Sequence, residues 1–292
     1  MASDLAGALP RPIGLVLGGG ASFGAVQVGM VRALDETGLR PDLVVGTSVG
    51  SLNGAIIAAD PVGAGNRLRL LWAGVRRRTV FPGGWLARAR TLQASHAWLS
   101  DSSGISGLVR QSLHVERFDQ LRLPFAAVAT DVLTGRPVVL RDGAIEPAVL
   151  ASAAIPAVLP PVEIEGRRLV DGGLVANVPV IQALDLGAAS LVVLDCGVLG
   201  LRTEAPRTLV ESMLHTAAIV VRQQVVRDVP AAAAQVPVVY LPGPFPMTTS
   251  PLDFRHTARL SGESYELSRR FLADVRPDGP GLYGAPPLLA RG

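Results

Sequence analysis

The chain has 292 residues and is 49% hydrophobic but only 4% aromatic, which predicts one large domain with a core built mainly from Ala, Val and Leu. Its single cysteine, Cys196, excludes an intramolecular disulfide and is typical of a reducing compartment. The net charge of +3 comes from 27 basic residues, all of them arginine, a total that indicates compositional bias rather than a particular partner. Glycine or proline interrupts every long uncharged stretch, so we expect neither a membrane span nor a signal peptide, and a cytoplasmic protein.

The first predicted strand, Ile13–Leu17, runs into a glycine-rich loop over residues 18–24, and helical spacing follows. Such a loop offers unblocked backbone N–H groups to an anion, which is either a nucleotide phosphate or the oxyanion of an acyl intermediate. A dinucleotide fingerprint counted from Gly18 fails at Phe23, and a P-loop needs a lysine that this chain lacks. The nucleotide alternative is therefore the weaker one.

The second predicted strand, residues 43–45, leads into Gly46-Thr47-Ser48-Val49-Gly50 and then into an apolar helix. A serine with a glycine two residues away on each side, at a strand-to-helix turn, is the nucleophile-elbow pattern. The turn strains the serine backbone and exposes its hydroxyl, while the N-terminus of the helix favours negative charge there. With this serine on the next strand, an oxyanion hole is the better interpretation of the glycine-rich loop.

Residues 61–100 combine positive charge with aromatic side chains and contain no acidic residue. The arginines are Arg67, Arg69, Arg76, Arg77, Arg78, Arg88 and Arg90, and the aromatic residues are Trp72, Phe81, Trp85 and Trp98. This pairing suits anionic headgroups, so the segment is a candidate lid that contacts an anionic membrane. A solvated helix face with its tryptophans in the core explains the same residues equally well. We expect no nucleic-acid partner, because no recognised nucleic-acid fold accompanies the segment.

A third motif, Asp171-Gly172-Gly173, follows a strand-like run over residues 168–170. Asp-Gly is also one of the commonest turn pairs, so the motif gains its meaning from the two that precede it. The neighbours of Asp171 are small or apolar, and desolvation by such neighbours raises the pKa of a carboxyl group towards the range of a working base.

Strand and helix signals alternate along the rest of the chain. We predict strands over residues 124–131, 137–140, 190–195 and 237–241, the last of the sheet, and helices over 147–154, 178–186, 208–226 and 261–275. This alternation predicts a three-layer α/β/α domain over residues 10–275 with a mainly parallel sheet, and a loosely ordered Pro/Gly-rich tail over residues 276–292. All three motifs then fall at strand ends, where ligands gather in such folds.

Together the three motifs resemble those of the patatin-like phospholipases, a family of serine lipid acyl hydrolases. Further matches are Ala129-Thr130-Asp131, Thr134-Gly135-Arg136, Ala154-Ile155-Pro156 and the continuation of the third motif through Pro179. The resemblance implies a Ser–Asp dyad of Ser48 and Asp171 that needs no metal or organic cofactor, and a lipid or ester substrate. It places the oxyanion hole on the backbone of Gly19, Gly20 and Ala21. The supporting motif positions are Gly18, Gly24, Gly46, Gly50, Gly172 and Gly173.

The glycine-rich loop departs from the family pattern at two positions. Ala21 stands where the family has glycine, and Phe23 stands where it has a basic residue, which leaves a neutral ester or lysolipid open as the substrate. Three alternatives remain: a triad completed by His256, an acyltransferase, and a lipid-binding protein with a weakened site. Related acyltransferases carry histidine at the position of Thr47, and residue 48 is early for a triad elbow.

Overall fold

A computed structural model describes residues 5–82, 93, 98–197, 209–245, 247 and 249–286 of the chain. In this part of the chain the strands form one mixed, mostly parallel sheet in the order β5-β6-β3-β2-β1-β7-β8-β9, with β4 also paired to β3. The strands are β1 (Ile13–Leu17), β2 (Leu43–Thr47), β3 (Phe125–Asp131), β4 (Pro137–Leu140), β5 (Val162–Ile164), β6 (Arg167–Asp171), β7 (Ser190–Leu194), β8 (Pro237–Tyr240) and β9 (Gly281–Tyr283).

Helices pack on both faces of this sheet. They are α1 (Leu5–Ala8), α2 (Gly24–Thr37), α3 (Val49–Ala59), α4 (Ala64–Gly74), α5 (Arg77–Val80), α6 (Ser103–Ser112), α7 (Ile145–Ser152), α8 (Gly173–Ala176), α9 (Val180–Asp185), α10 (Leu209–Ala233) and α11 (Thr257–Asp274). None of those in the described residues is both long and apolar enough to cross a bilayer.

The central strands are buried on both faces, because alternate side chains enter two separate cores. On β1, Leu15 and Leu17 pack with helices α2, α3 and α11, whereas Val16 packs with α9 and α10 on the other face. This arrangement confirms the predicted three-layer fold with a mainly parallel sheet. Strands β1, β2, β3, β7, β8 and β9 are parallel to one another, and β3 also forms antiparallel pairs with β4 and β6, as β5 does with β6.

The prediction that the strand over residues 237–241 is the last of the sheet is wrong. Residues 281–283, in the tail that we expected to be loosely ordered, form β9 and pair in parallel with β8. The Tyr283 hydroxyl anchors this strand by donating to an Asp278 carboxyl oxygen at 2.6 Å. All four predicted helices also shift at their ends. Helix α7 begins two residues earlier, at Ile145, because proline is tolerated in a first turn, α9 begins only after Pro179, and α11 begins at Thr257. Helix α10 continues seven residues beyond its predicted end, to Ala233, with Pro230 inside it.

Candidate active site

Ser48 lies at the sharp turn between β2 and α3. Its backbone has φ 55° and ψ −125°, and residues other than glycine rarely adopt such a positive φ. The flanking glycines permit the turn, because a Cβ on Gly46 would collide with the carbonyl of Gly50, and a Cβ on Gly50 would collide with the carbonyl of Leu17. The sequence therefore folds locally into the strained turn that the nucleophile-elbow pattern predicts.

The sheet brings Ser48 and Asp171 together through β3. Thr47, the last residue of β2, pairs with Val128, and Asp171, the last residue of β6, pairs with the next residue, Ala129. Strand β4 pairs with both of these β3 positions and therefore occupies the opposite edge of β3. Strands β2 and β6 thus approach each other end to end along one edge of β3, and their ends place the serine beside the carboxylate.

The Ser48 hydroxyl donates a hydrogen bond to Oδ2 of Asp171 at 2.7 Å. The other carboxylate oxygen accepts the backbone N–H of Gly173 at 2.8 Å. Burial raises the pKa of Asp171 to about 6, while the hydrogen bonds from Ser48 and Gly173 act against that rise. At neutral pH the carboxylate is therefore ionised and is a stronger base than an ordinary aspartate.

Two further hydroxyl groups hold the pair in place, a role that the sequence analysis assigned neither to Ser152 nor to Thr130, although Thr130 lies in one of the motifs that resemble the family. Ser152 donates to the carbonyl of Val128 at 2.6 Å and accepts the backbone N–H of Ser48 at 2.9 Å. Thr130 donates to the backbone carbonyl of Asp171 at 2.8 Å. Ser152 and Thr130 are both buried, so each bond fixes one end of the dyad to the sheet. No short-range sequence pattern identifies them, because Ser152 is 104 residues from Ser48.

The glycine-rich loop presents fewer free N–H groups than the sequence predicts. The N–H of Gly19 donates to the carbonyl of Asn177 at 3.0 Å, which conflicts with its expected role as an oxyanion donor. Within the described residues, the N–H groups of Gly20 and Ala21 have no protein acceptor. Ala21 has φ 49°, a left-handed conformation that agrees with the family's glycine at this position. These two groups are the remaining candidates for the oxyanion hole.

Buried amide side chains hold the glycine-rich loop in place through hydrogen bonds. Gln27 donates to the carbonyls of Gly18 and Leu194, and Asn53 donates to Gln27 at 2.8 Å and to the carbonyl of Gly24 at 3.1 Å. The indole N–H of Trp72 completes the series by donating to Asn53 at 3.0 Å. The loop is therefore connected to helices α2, α3 and α4 by a continuous buried network.

The remaining motif glycines lie around the same site. Gly18 borders Asn177 and Asp195, Gly24 borders Val49 and Trp72, Gly172 borders Thr47 and Val128, and Gly173 borders Asp171 and Asn177. The backbone N–H of Asn177 donates to the side-chain oxygen of Gln224 on α10 at 2.9 Å. The third motif is thereby attached to the helical layer opposite Ser48.

Ser48 lines an apolar pocket, and the figure of about 550 Å³ for its empty volume includes space that is open to solvent. Its walls come from helices α3 to α6, from the glycine-rich loop, from the segments that follow α4, α5 and α7, and from the turn before α11. They are Ala21, Val49, Leu52, Trp72, Val75, Val80, Phe81, Ile105, Leu108, Ala153, Ile155, Leu159 and Phe254. A cavity of this kind binds apolar ligands, with one polar group at the serine to orient them.

The structure separates the two interpretations of residues 61–100 for part of that segment. Trp72 and Phe81 are buried and line the pocket, so they pack inward as the core interpretation requires. Arg76, Arg77 and Arg78 are exposed, as both interpretations allow. Trp85, Arg88 and Arg90 lie outside the described residues, and the lid itself stays a prediction.

Histidine does not enter the dyad in the described part of the chain. Nε2 of His256 lies 3.5 Å from the Asp253 carboxylate, and neither Ser48 nor Asp171 is among its partners. The triad alternative that sequence order suggested for His256 is wrong, because the Ser48 hydroxyl bonds Asp171 directly. The described residues also hold no group of three or more His, Cys, Asp or Glu side chains able to bind a metal ion.

A strained serine beside a buried carboxylate, at the mouth of an apolar pocket, defines an α/β protein with a nucleophile-elbow site. The family model of the patatin-like phospholipases matches residues 15–184, more than half of the chain. The protein therefore belongs to the patatin-like phospholipase family.

Individual relatives match about two thirds of this chain. Patatin-like phospholipase domain-containing protein 7 of Rattus norvegicus is 32% identical over 188 residues, which are 63% of this chain and 14% of that protein. Lysophospholipase NTE1 of Mycosarcoma maydis is 32% identical over 187 residues, 63% of this chain and 10% of that protein. The chain thus spans a small fraction of these relatives' length.

Among solved structures, VipD from Legionella pneumophila aligns with a TM-score of 0.50 at 15% identity. The alignment covers 91% of this chain and 67% of the VipD chain. At this identity the likeness concerns the fold, and it extends beyond residue 184 into the C-terminal strands and helices.

Proposed function

We propose that the protein is a serine acyl hydrolase that cleaves a fatty acyl ester of a phospholipid or lysophospholipid. The 2.7 Å hydrogen bond from Ser48 to Asp171, at the mouth of the apolar pocket, carries the proposal. Membership of the patatin-like phospholipase family and the 32% identity to a lysophospholipase support the same reaction class.

In the proposed first step, Oγ of Ser48 attacks the ester carbonyl carbon while its proton passes to Oδ2 of Asp171. The N–H groups of Gly20 and Ala21 stabilise the oxyanion of the tetrahedral intermediate. The bond to the leaving alcohol then breaks, Asp171 returns the proton to that alcohol, and the acyl group remains on Ser48. The acyl chain lies in the apolar pocket, away from water.

In the second step water replaces the alcohol. Asp171 takes a proton from the water as its oxygen attacks the acyl-enzyme, and the collapse of the second intermediate returns that proton to Ser48 and releases the fatty acid. The cycle needs a base that is ionised at neutral pH, and a pKa of about 6 for Asp171 meets that need. It uses no metal or organic cofactor.

We also propose peripheral contact with anionic membranes through residues 61–100, where the exposed arginines Arg76, Arg77 and Arg78 supply the charge. Changing all three to Glu is expected to reduce binding to vesicles that contain anionic lipid. Unchanged vesicle binding would exclude this role for the segment.

The hydrolase proposal is tested by turnover of a lysophospholipid and of a neutral fatty acyl ester. The wild type should release fatty acid, and Ser48→Ala should lower kcat by about 10⁴-fold or more, because the nucleophile is lost. Ser103→Ala is the matched control, since this exposed hydroxyl contacts only Asp101. Equal turnover by the wild type and Ser48→Ala would refute the assignment, and no turnover by correctly folded wild type would favour the lipid-binding alternative.

A further inference from the structure

A second cleft lies behind the acyl pocket. It encloses about 1180 Å³, open to solvent, between helices α2, α4 and the start of α11. Trp72 and Phe254 line both this cleft and the acyl pocket, so the two spaces share a wall. The reaction proposed above does not use this second cleft.

The cleft carries an excess of positive charge from four arginines on three separate elements. Arg32 comes from α2, Arg69 and Arg76 from α4 and the turn after it, and Arg255 from the turn before α11. No carboxylate is among the described residues that line the cleft.

Only one of these arginines is neutralised within the described residues. Arg255 donates to both carboxylate oxygens of Asp253, and this pairing holds the pKa of Asp253 well below its usual range. Arg32, Arg69 and Arg76 form no ion pair in the described part of the chain. The cleft therefore keeps an excess positive charge without a protein counter-ion.

Contacts with uncharged groups hold these three guanidinium groups in place. Arg32 lies over the ring of Tyr265 at 4.5 Å, Arg69 donates to the side chain of Asn66 at 3.0 Å, and Arg76 donates to the carbonyls of Ala73 and Val75. Each contact uses only part of the donor capacity of a guanidinium, which has five N–H groups. Donors remain for a ligand.

The other lining groups also suit an anion. Thr257 and Ala258 open α11, an 18-residue helix, so the positive end of its dipole lies at the same cleft, and Ser261 adds a hydroxyl from the next turn. Guanidinium forks match the oxygens of a phosphate group better than a single ammonium does. The glycine-rich loop offers no comparable cation, since Phe23 is buried in the core where the family carries a basic residue.

We propose that this cleft, formed by Arg32, Arg69, Arg76 and the first turn of α11, is a binding site for a phosphate group. The phosphate belongs either to the headgroup of an anionic lipid or to a soluble phosphate ester. A site behind the acyl pocket would bind it without taking part in ester cleavage.

The test measures binding in the Ser48→Ala background, so its outcome does not depend on hydrolysis. One arm titrates glycerol 3-phosphate by calorimetry, and the other sediments the protein with phosphatidylcholine vesicles with and without phosphatidic acid. The test variant combines Arg32→Gln with Arg69→Gln, two cleft residues that are not among the three arginines proposed for membrane contact. The control combines Arg136→Gln with Arg141→Gln, which removes the same charge from exposed residues beside β4.

We expect the test variant to bind about tenfold or more weakly in at least one arm, which corresponds to the loss of at least one of the two charge-assisted contacts that it removes, while the control keeps its affinity. An effect on glycerol 3-phosphate alone identifies a soluble ester, and an effect confined to phosphatidic acid vesicles identifies the lipid headgroup. If the two variants weaken binding equally, the effect comes from the overall charge of the protein, and the proposal is overturned. The absence of binding in both arms would also overturn it. Matching thermal melts of the variants establish that the fold is intact.

Discussion

Two buried carboxylates, Asp171 and Asp195, occupy similar positions in the sheet. Each follows or ends a buried strand, each accepts a hydrogen bond from a hydroxyl, and burial raises the pKa of both. Their partners differ. Asp171 pairs with Ser48 on a strained turn, whereas Asp195 pairs with the phenol of Tyr240, the last residue of β8, at 2.5 Å.

The surroundings of the two pairs differ more than the carboxylates do. Ser48 opens into the apolar pocket, whereas Asp195 and Tyr240 are fully buried and line none of the described pockets. A raised pKa therefore does not distinguish an active site from a buried structural pair. In this protein the features that distinguish the proposed site are a serine in a strained turn and a cavity that reaches it.

The largest difference in activity is expected between the variants Asp171→Asn and Asp195→Asn. The first removes the proposed base and should lower kcat/KM for a neutral ester by about 10³-fold or more. The second keeps an acceptor for Tyr240, and Asp195 borders Gly18 but neither lines the acyl pocket nor contacts Ser48, so the loss of activity should stay below about tenfold. Losses of equal size in the two variants would remove the distinction between the pairs.

The pH dependence of turnover should follow Asp171. Its pKa of about 6 makes kcat/KM for a neutral ester level above pH 7 and lowers it by about tenfold for each pH unit below 6. The same profile is expected for Asp195→Asn, because Asp195 takes no part in the reaction. A profile that stays flat from pH 7 to pH 5 would show that a group with an ordinary carboxylate pKa acts instead.

The stability of the wild type should change with pH in the opposite direction to its activity. The pKa of Asp171 rises from 3.8 to about 6 on folding, so the folded state binds this proton more tightly, and the free energy of unfolding falls as the pH rises through that interval. Relative to the wild type, the free energy of unfolding of Asp171→Asn should therefore increase by about 2 kcal/mol between pH 4 and pH 7. Urea unfolding at both pH values measures this gain, and an equal difference at both would contradict it.

The smallest predicted effect concerns the pocket that distinguishes the two pairs. Val80→Trp should fill part of the pocket and lower the turnover of a decanoyl ester relative to a butyryl ester by about tenfold. A tenfold loss corresponds to the free energy of burying about two methylene groups. Val132→Trp, at an exposed valine, is the matched control. An unchanged ratio would mean that the acyl chain lies elsewhere.

Local sequence patterns predicted the parts of the site that local folding builds. The strand–glycine–helix spacing around Ser48 fixes a turn within five residues, and the fold class follows from the alternation of such units. The dyad partner Asp171 was found through the family resemblance, since an Asp-Gly pair alone also fits an ordinary turn. Its position beside Ser48 then follows from the register of β2 and β6 on β3.

The parts that the sequence did not predict depend on distant residues. The Gly19 N–H is bonded by Asn177, 158 residues away, and Ser152 and Gln27 contact backbone atoms that no spacing rule relates to them. Strand β9 was missed because its three residues lie in a Pro/Gly-rich stretch, and its pairing with β8 stabilises it more than its own propensity does.

Covalent labelling with a fluorophosphonate, read by intact mass, tests most directly whether Asp171 activates Ser48. We predict one adduct on the wild type and on Asp195→Asn at similar rates, none on Ser48→Ala, and labelling of Asp171→Asn slowed by about 100-fold or more. Peptide mapping should locate the adduct on Ser48. Equal labelling rates for the wild type and Asp171→Asn, or no adduct on correctly folded wild type, would contradict the account.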